Sequence, residues 1–316
     1  MKLKYTSTSL QCVAFSLLTF SLSSAVRAET QVKHPIKPFL WKVEGKGLTK
    51  PAHLFGTIHV SDPSVTTLHP AAQKAFDTAE CFYAEIDMRP ELQMAMLPLI
   101  RRQDGKALDD SIGVGLAAKL NAELVRINPQ LNSATFQTMK TWLVATLPEL
   151  LPDQLAGKKP LDLQLWEAAT TGSKKTAGLE EIEAQLKGFN ALTEAEQISF
   201  MKASLEQLER DRKVKGSIKS RLIKAYISGD KNVLLTEIHA SMIEMKKGGD
   251  ALLGEKLWNT ILVERDKTIS ESIINSLKAA PSKSHFFAVG AAHYCTEKSI
   301  LHHVREAGYT VTRIEK

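Results

Sequence analysis

The chain of 316 residues contains little cysteine, and no long apolar run occurs beyond its first 28 residues. Three cysteines are too few for a scaffold held together mainly by disulfides. A membrane-spanning helix needs roughly 20 consecutive apolar residues, so no stable membrane insertion of the mature chain is expected. The sequence also lacks a His-Glu-x-x-His motif, which excludes the zinc proteases whose two histidines lie on one helix.

Basic charge is present only in modest excess. The formal net charge is +6, and three of the basic residues, Lys2, Lys4 and Arg27, lie in the first 28 residues, which hold no acid. The remaining chain therefore carries +3, spread along its length. A nucleic-acid-binding surface needs a clustered basic face, so nucleic acid is not an expected partner.

The first 28 residues have the pattern of an export signal. Two lysines precede a mostly apolar segment over residues 10–24, and Val26-Arg27-Ala28 offers small residues for cleavage. We expect cleavage after Ala28. The mature chain, residues 29–316, is then expected to form a single domain in the periplasm or outside the cell.

Two cysteines remain after this cleavage, Cys81 and Cys295. In an oxidising compartment such a pair often forms a disulfide, which here would link the regions around Glu85 and His293. Two isolated thiols are otherwise small core residues. The sequence leaves both alternatives open.

Two copies of a Gly-x-x-His motif follow short apolar runs at opposite ends of the chain. The first is Gly56-Thr-Ile-His59 and the second is Gly290-Ala-Ala-His293. Residues 81–87, between them, predict a strand that contains the acidic residue Glu85. In open α/β sheets ligands bind outside the carboxyl ends of strands, so both histidines and the glutamate are expected at one site.

These patterns predict a mixed α/β fold with some α+β character. The central β-sheet is expected from both chain ends, with a large helical insertion over about residues 89–280, in which residues 175–180 are a further short strand. Residues 40–43 and 53–55 flank a turn and predict a hairpin. Residues 284–314 predict a strand, a helix with Thr296 as N-cap, and a second strand that is a parallel neighbour of the first.

Two imidazoles and one carboxylate are a common ligand set for a catalytic divalent metal. His59, Glu85 and His293 are therefore candidate ligands for manganese, cobalt or zinc. An alternative without a metal uses a histidine as general base, oriented by Glu85, with Arg265 stabilising an oxyanion. The residues alone leave both mechanisms open.

The remaining histidines fit a shared site less well. His302 and His303 are adjacent in a predicted helix, so we expect that they do not both face one site.

The chain resembles the TraB/GumN family, which includes the Tiki-like metalloproteases. The resemblance covers nearly all of the mature chain and is carried by residues 40–63, the strand with Glu85, residues 161–189 and Val289-Gly-Ala-Ala-His293. The family often has Arg-Asn where this chain has Arg265-Asp266.

The resemblance implies a metal-dependent, peptidase-like hydrolase that acts on a peptide or small-molecule substrate. It places the metal on His59, Glu85 and His293, with Arg265 and Glu180 as further catalytic-site residues. The alternative that it implies is a non-catalytic periplasmic binding protein for haem, metal or peptide, as its haem-binding ChaN-like relatives suggest.

Overall fold

A computed structural model describes residues 34–214, 216–247 and 251–315. The predicted export signal, residues 1–28, lies outside the described residues, so its cleavage and the domain boundary at residue 28 stay predictions. Among the described residues no helix is both long enough and apolar enough to cross a membrane.

Six strands in the described part of the chain form one mixed sheet in the spatial order β4-β3-β5-β2-β1-β6. Their bounds are Leu40–Glu44 (β1), Ala52–Thr57 (β2), Cys81–Ile86 (β3), Lys175–Glu180 (β4), His285–Gly290 (β5) and Thr310–Arg313 (β6). The first four strands in this order are mutually parallel, whereas β1 runs antiparallel to both β2 and β6. The carboxyl ends of β2, β3, β4 and β5 therefore lie along one edge.

The described α-helices are Pro63–Thr66 (α1), Pro70–Thr78 (α2), Pro90–Ala95 (α3), Leu97–Ile100 (α4), Leu108–Ile127 (α5), Thr141–Leu155 (α6), Leu161–Thr171 (α7), Ile182–Asn190 (α8), Glu194–Lys213 (α9), Ile218–Ser228 (α10), Lys231–Lys247 (α11), Ala251–Trp258 (α12), Glu264–Ala279 (α13) and Ile300–Glu306 (α14). Two short 3₁₀ helices cover Ser133–Phe136 and Ala291–Tyr294, and a π-helical turn, Asn259–Val263, joins α12 to α13.

Helices cover both faces of the sheet because its central strands are apolar on both faces. On one face Phe55, Phe82 and Phe286 pack in one core with residues of α2 and α7. On the other face Tyr83 and Phe287 pack in a second core with α10, α13 and α14. A third core joins α5, α6, α8, α9 and α12 and contains no strand residue.

The predicted mixed α/β fold is confirmed, as are the hairpin of β1 and β2 and the short strand β4. β4, the short strand predicted inside the helical insertion, joins this sheet beside β3. That region also supplies α7 and α13, which pack against the sheet. Residues 89–280 therefore contribute one strand to the sheet and two of the helices that cover it.

The sequence predicts that the last strand, β6, is a parallel neighbour of β5, and this prediction is wrong. β2 and β1 lie between β5 and β6, and β6 instead pairs with β1. The helix between them begins at Ile300 with Ser299 as its N-cap. Thr296 does not cap it, because its hydroxyl donates a hydrogen bond to Asp266 Oδ2 (3.0 Å).

Cys81 and Cys295 are buried free thiols, so the disulfide alternative is not realised. Cys81 pairs with His285, the first residue of β5, whereas Cys295 follows the last residue of that strand. A strand of this length separates the two positions, and a disulfide requires Cα atoms within about 7 Å. The Cys295 thiol instead donates to the carbonyl of Ala291 (3.2 Å).

Candidate metal centre

Four of the predicted site residues lie at the carboxyl edge of the four parallel strands. Glu180 ends β4 and Glu85 is the penultimate residue of β3, while His293 and His59 follow β5 and β2 by three and two residues. Adjacent parallel strands end side by side, so these residues come together although they are far apart in the sequence. Arg265 reaches the same edge from α13.

Gly290 leaves the space into which three of these side chains converge. A Cβ atom at this position would lie 3.1 Å from Glu85 Oε1, 3.7 Å from His293 Cδ2 and 4.0 Å from His59 Nε2. The Gly290 amide donates to Glu85 Oε1 (2.7 Å), and His59 Nε2 lies 3.9 Å from the same oxygen. His59, Glu85 and His293 therefore surround one small volume.

The first Gly-x-x-His glycine has a different role. A Cβ at Gly56 would lie 2.7 Å from Phe39 Cβ and 3.0 Å from the Cα and Cβ of Ala291. Only glycine allows this close packing between the end of β2 and the 3₁₀ helix that carries His293. Gly56 thus positions the backbone around the site, and Gly290 borders the site itself.

A carboxylate lies beside Nδ1 of each histidine, as a hydrogen-bond partner of His293 and as an ion-pair partner of His59. His293 Nδ1 lies 2.6 Å from Asp266 Oδ1, and His59 Nδ1 lies 3.1 Å from Asp162 Oδ1. Such a partner fixes the tautomer and the ring orientation of a metal-binding histidine. Nε2 is then the nitrogen that each ring has left for a metal ion.

Arg265 joins the two buried glutamates. Its Nη2 donates to Glu85 Oε2 (2.6 Å) and to Glu180, its Nε donates to Glu180 Oε1 (2.9 Å), and its Nη1 donates to the carbonyl of Ile261 (3.0 Å). Gln185 also donates to Glu85 Oε2 (3.2 Å). Most donors of the guanidinium are therefore used, so the main effect of Arg265 is to hold Glu85 in place as a carboxylate.

Glu85 keeps its negative charge although it is buried. Burial alone would raise its pKa, but the positive charges of His293, His59 and Arg265 and the hydrogen bond from Gly290 outweigh burial and lower the pKa. The site therefore provides an ionised carboxylate.

Acidic side chains surround the site at this edge of the sheet. The negative charge of Asp162 raises the pKa of the exposed His59 to about 9. Burial raises the pKa of Asp266 and of Glu180, and this effect is opposed by His293 and by Arg265 respectively. Once the two histidines are neutral, as metal binding requires, four acids close to a single guanidinium favour the binding of a cation here.

The structure thus brings together all five predicted site residues, but it changes the roles of two. The mechanism without a metal requires Glu85 to orient a histidine. In the structure the carboxylates beside the histidine Nδ1 atoms are Asp162 and Asp266 instead. Arg265 is largely committed to carboxylates and a carbonyl, which leaves little of it for an oxyanion. Glu180 positions Arg265 and is itself deeply buried.

Asp162, Asp266 and Gln185 are site residues that sequence reasoning missed. Asp162 lies in the first turn of α7, where an acidic residue is ordinary. The available signal for Asp266 was its position next to Arg265, in place of the asparagine that is frequent in the family.

A second group of histidines lies on the surface of α14. The donor atoms of His302, His303 and Glu306 all lie within 4.8 Å of one another, and no other trio of such residues in the described part of the chain is so close. The expectation that the two histidines do not face one site is therefore wrong. His59, Glu85 and His293 form a wider set, in which each histidine has a carboxylate beside its Nδ1.

The family relationship agrees with this geometry. A sequence model of the TraB/PrgY/gumN family matches residues 39–313. The protein named Metalloprotease TIKI homolog from Nematostella vectensis is 25% identical over 319 residues, which cover 88% of this chain and 67% of that protein. Metalloprotease TIKI2 from Danio rerio is 24% identical over 319 residues (86% and 60%), and Metalloprotease TIKI1 from Homo sapiens is 24% identical over 316 residues (87% and 62%).

The chain spans 60% to 67% of the length of these three relatives. No solved structure is significantly similar to it. Because the family match extends from β1 to β6, through every strand that forms the site, the chain belongs to the TraB/PrgY/gumN family.

Proposed function

We propose that this protein is an exported, metal-dependent hydrolase of the peptidase type, with its ion held by His59, Glu85 and His293. The observation that carries the proposal is the convergence of these three side chains around Gly290. Similarity to proteins named metalloproteases supports it. Export to the periplasm or beyond rests on the pattern of residues 1–28.

The donor set fits a divalent metal. Two imidazole nitrogens and one carboxylate oxygen suit zinc, cobalt and manganese, and three protein ligands leave positions for water and substrate. When bound, such an ion supplies Lewis acidity, which polarises a carbonyl group and makes water easier to deprotonate. The negative charge around the site favours the same class of ligand.

The protein's own residues prepare the ligands. Asp162 and Asp266 lie at the Nδ1 sides of the two rings, so Nε2 of each ring is the nitrogen that can bind the ion once it has lost its proton. Arg265 and the Gly290 amide keep Glu85 ionised and fix both of its oxygens. These contacts fix the ligands before an ion arrives, which lowers the entropy cost of binding.

The first experiment measures metal content and affinity. The purified protein and its His59→Ala and His293→Ala variants are titrated with Mn²⁺, Co²⁺ and Zn²⁺, with His303→Ala as the matched control for the surface group. We expect one ion per chain that both site variants lose and the control retains. An ion that is retained by both site variants contradicts the proposed centre.

Turnover separates the hydrolase from the alternative of a binding protein. The metal-loaded protein is incubated with a peptide mixture, and we expect new peptide termini that are absent from the His293→Ala reaction. A haem or peptide that copurifies with the protein, without turnover, supports the binding protein instead. Export is checked by sequencing the mature amino terminus, which we expect to be Glu29.

A further inference from the structure

Two cavities meet at the candidate metal centre. One has a volume of about 540 Å³ and the other about 230 Å³. Both are lined by His59, Glu85 and Arg265, and also by Thr57 and Ile261. His59 and Glu85 therefore border both cavities, and His293 borders the smaller one.

The larger cavity lies between the sheet edge and the helices of the third core. Its apolar lining includes Ile100, Trp142, Leu143, Leu150, Leu186 and Phe189. The charged residues of this lining are those of the metal centre, Asp162 beside His59, and Glu149. Burial raises the pKa of Glu149. Nothing in this lining offers a free basic group for an acidic side chain.

The smaller cavity lies against α10 and α11, whose residues belong to the second core. Its lining includes Leu222, Tyr226, Leu234, Leu262 and Ala292, and its charged residues belong to the metal centre. Burial fixes the Tyr226 hydroxyl as a donor to the carbonyl of Gly56 (2.7 Å). The space that remains beside it is apolar.

We propose that the substrate is a peptide with an apolar side chain on each side of the bond that is cleaved. This inference rests on the proposed function. The reacting carbonyl lies at the metal centre, and one flanking side chain enters each cavity, because burying apolar surface in both stabilises the bound peptide. Acidic side chains next to the cleaved bond are disfavoured by the four carboxylates of the centre.

Hydrolysis of this bond consumes one water molecule. The water oxygen forms a bond to the carbonyl carbon as the C–N bond breaks, and the water protons are shared between the new amine and carboxyl groups. No oxidant, reductant or further reactant is needed.

The test is a cleavage-site profile. The metal-loaded protein digests a peptide mixture of unbiased composition, and mass spectrometry identifies the residues before and after each cut. We expect apolar residues on both sides, and replacing either by alanine in a single defined peptide slows cleavage at least about tenfold. Cleavage without apolar enrichment on one of the two sides overturns the inference while the hydrolase function stands.

Charge substitutions assign the cavities. Leu150 lines the larger cavity and is 43% exposed, and the partly buried Leu222 lines the smaller one, so a glutamate is tolerable at either position. We expect Leu150→Glu to favour lysine or arginine on one side of the cut and Leu222→Glu to favour them on the other. Leu155, on the same helix as Leu150 and 55% exposed, lines neither cavity, so Leu155→Glu is the matched control. A shift on the same side in both variants contradicts the assignment.

A binding measurement separates the failure of this inference from the failure of the proposed function. Short peptides that carry a non-hydrolysable hydroxyethylene link between two leucines are titrated into the metal-loaded protein, beside analogues with serine at one position. Tighter binding of the Leu–Leu compound without any peptide turnover supports the two apolar cavities and contradicts the hydrolase. Equal binding of all compounds overturns the inference, whether or not peptides are cleaved.

Discussion

His293 Nδ1 lies 2.6 Å from Asp266 Oδ1, and both side chains are almost completely buried. The second carboxylate oxygen accepts a hydrogen bond from Thr296 (3.0 Å), so Asp266 is fixed from both sides. The ring of His293 is thereby held in one orientation before any ligand binds.

This contact predicts a graded effect of substitution at Asp266. Asp266→Asn keeps an oxygen that accepts from Nδ1, so we expect it to weaken Zn²⁺ or Mn²⁺ binding by less than about tenfold. Asp266→Ala removes the partner and is expected to weaken binding about 10- to 100-fold. Isothermal titration measures both variants, with Thr296→Val as the control that keeps the carboxylate. Equal losses in the Asn and Ala variants contradict an orienting role.

The space beside Gly290 predicts that a single methyl group impairs ion binding. Gly290→Ala places a Cβ 3.1 Å from Glu85 Oε1, so we expect a weaker ion affinity, measured by titration, with the fold retained. Gly115 in α5 has nothing within 4 Å of an added Cβ and serves as the matched control. Gly115→Ala should bind the ion normally and raise the free energy of unfolding by up to about 1 kcal/mol. Unchanged ion affinity in Gly290→Ala argues against this volume as the metal centre.

The buried position of Arg265 predicts a large loss of stability when its charge is removed. Arg265→Met leaves Glu85 and Glu180 without their shared cation, and we expect the free energy of unfolding to fall by about 3–5 kcal/mol. Urea denaturation measures the change. Adding Glu180→Gln in the same chain removes one of the unpaired charges and should restore part of the loss. A loss below about 1 kcal/mol in Arg265→Met contradicts a charge-balancing role.

The two free thiols predict a simple chemical behaviour. Burial favours the neutral form of Cys295 and raises its pKa to about 12, so at pH 8 almost no reactive thiolate is present. We expect Cys295 in the native protein to resist iodoacetamide at this pH, and alkylation to begin only as the pH approaches 12 or the chain unfolds. The denatured protein that has lost residues 1–28 should titrate as two thiols without reductant. A count of zero free thiols would indicate a disulfide between Cys81 and Cys295.

The convergence of His59, Glu85 and His293 was predictable because each one lies near the end of a local apolar run. Parallel strands that end at one edge bring such residues together, so His59, Glu85 and His293 could be joined from spacing and period alone. The pairing of β6 with β1 could not be predicted, because the apolar pattern of a strand does not specify which neighbouring strand it pairs with. Two parallel neighbours were predicted where the structure has an antiparallel edge pair.

The orienting acids were hidden for a different reason. Asp162 is in the first turn of its helix and Asp266 is near the start of another, where acids are common because they interact favourably with the helix dipole. Their contacts with histidines depend on how helices pack on the sheet. The π-helical turn before α13 is similarly unpredictable, yet it places the Ile261 carbonyl at 3.0 Å from Arg265 Nη1.

The third hydrophobic core contains only residues outside the strands, and its helices form much of the wall of the larger cavity. The proposed metal ligands, in contrast, lie at strand ends. Mutations in these helices can therefore accumulate and alter what enters that cavity while the residues at the strand ends stay the same.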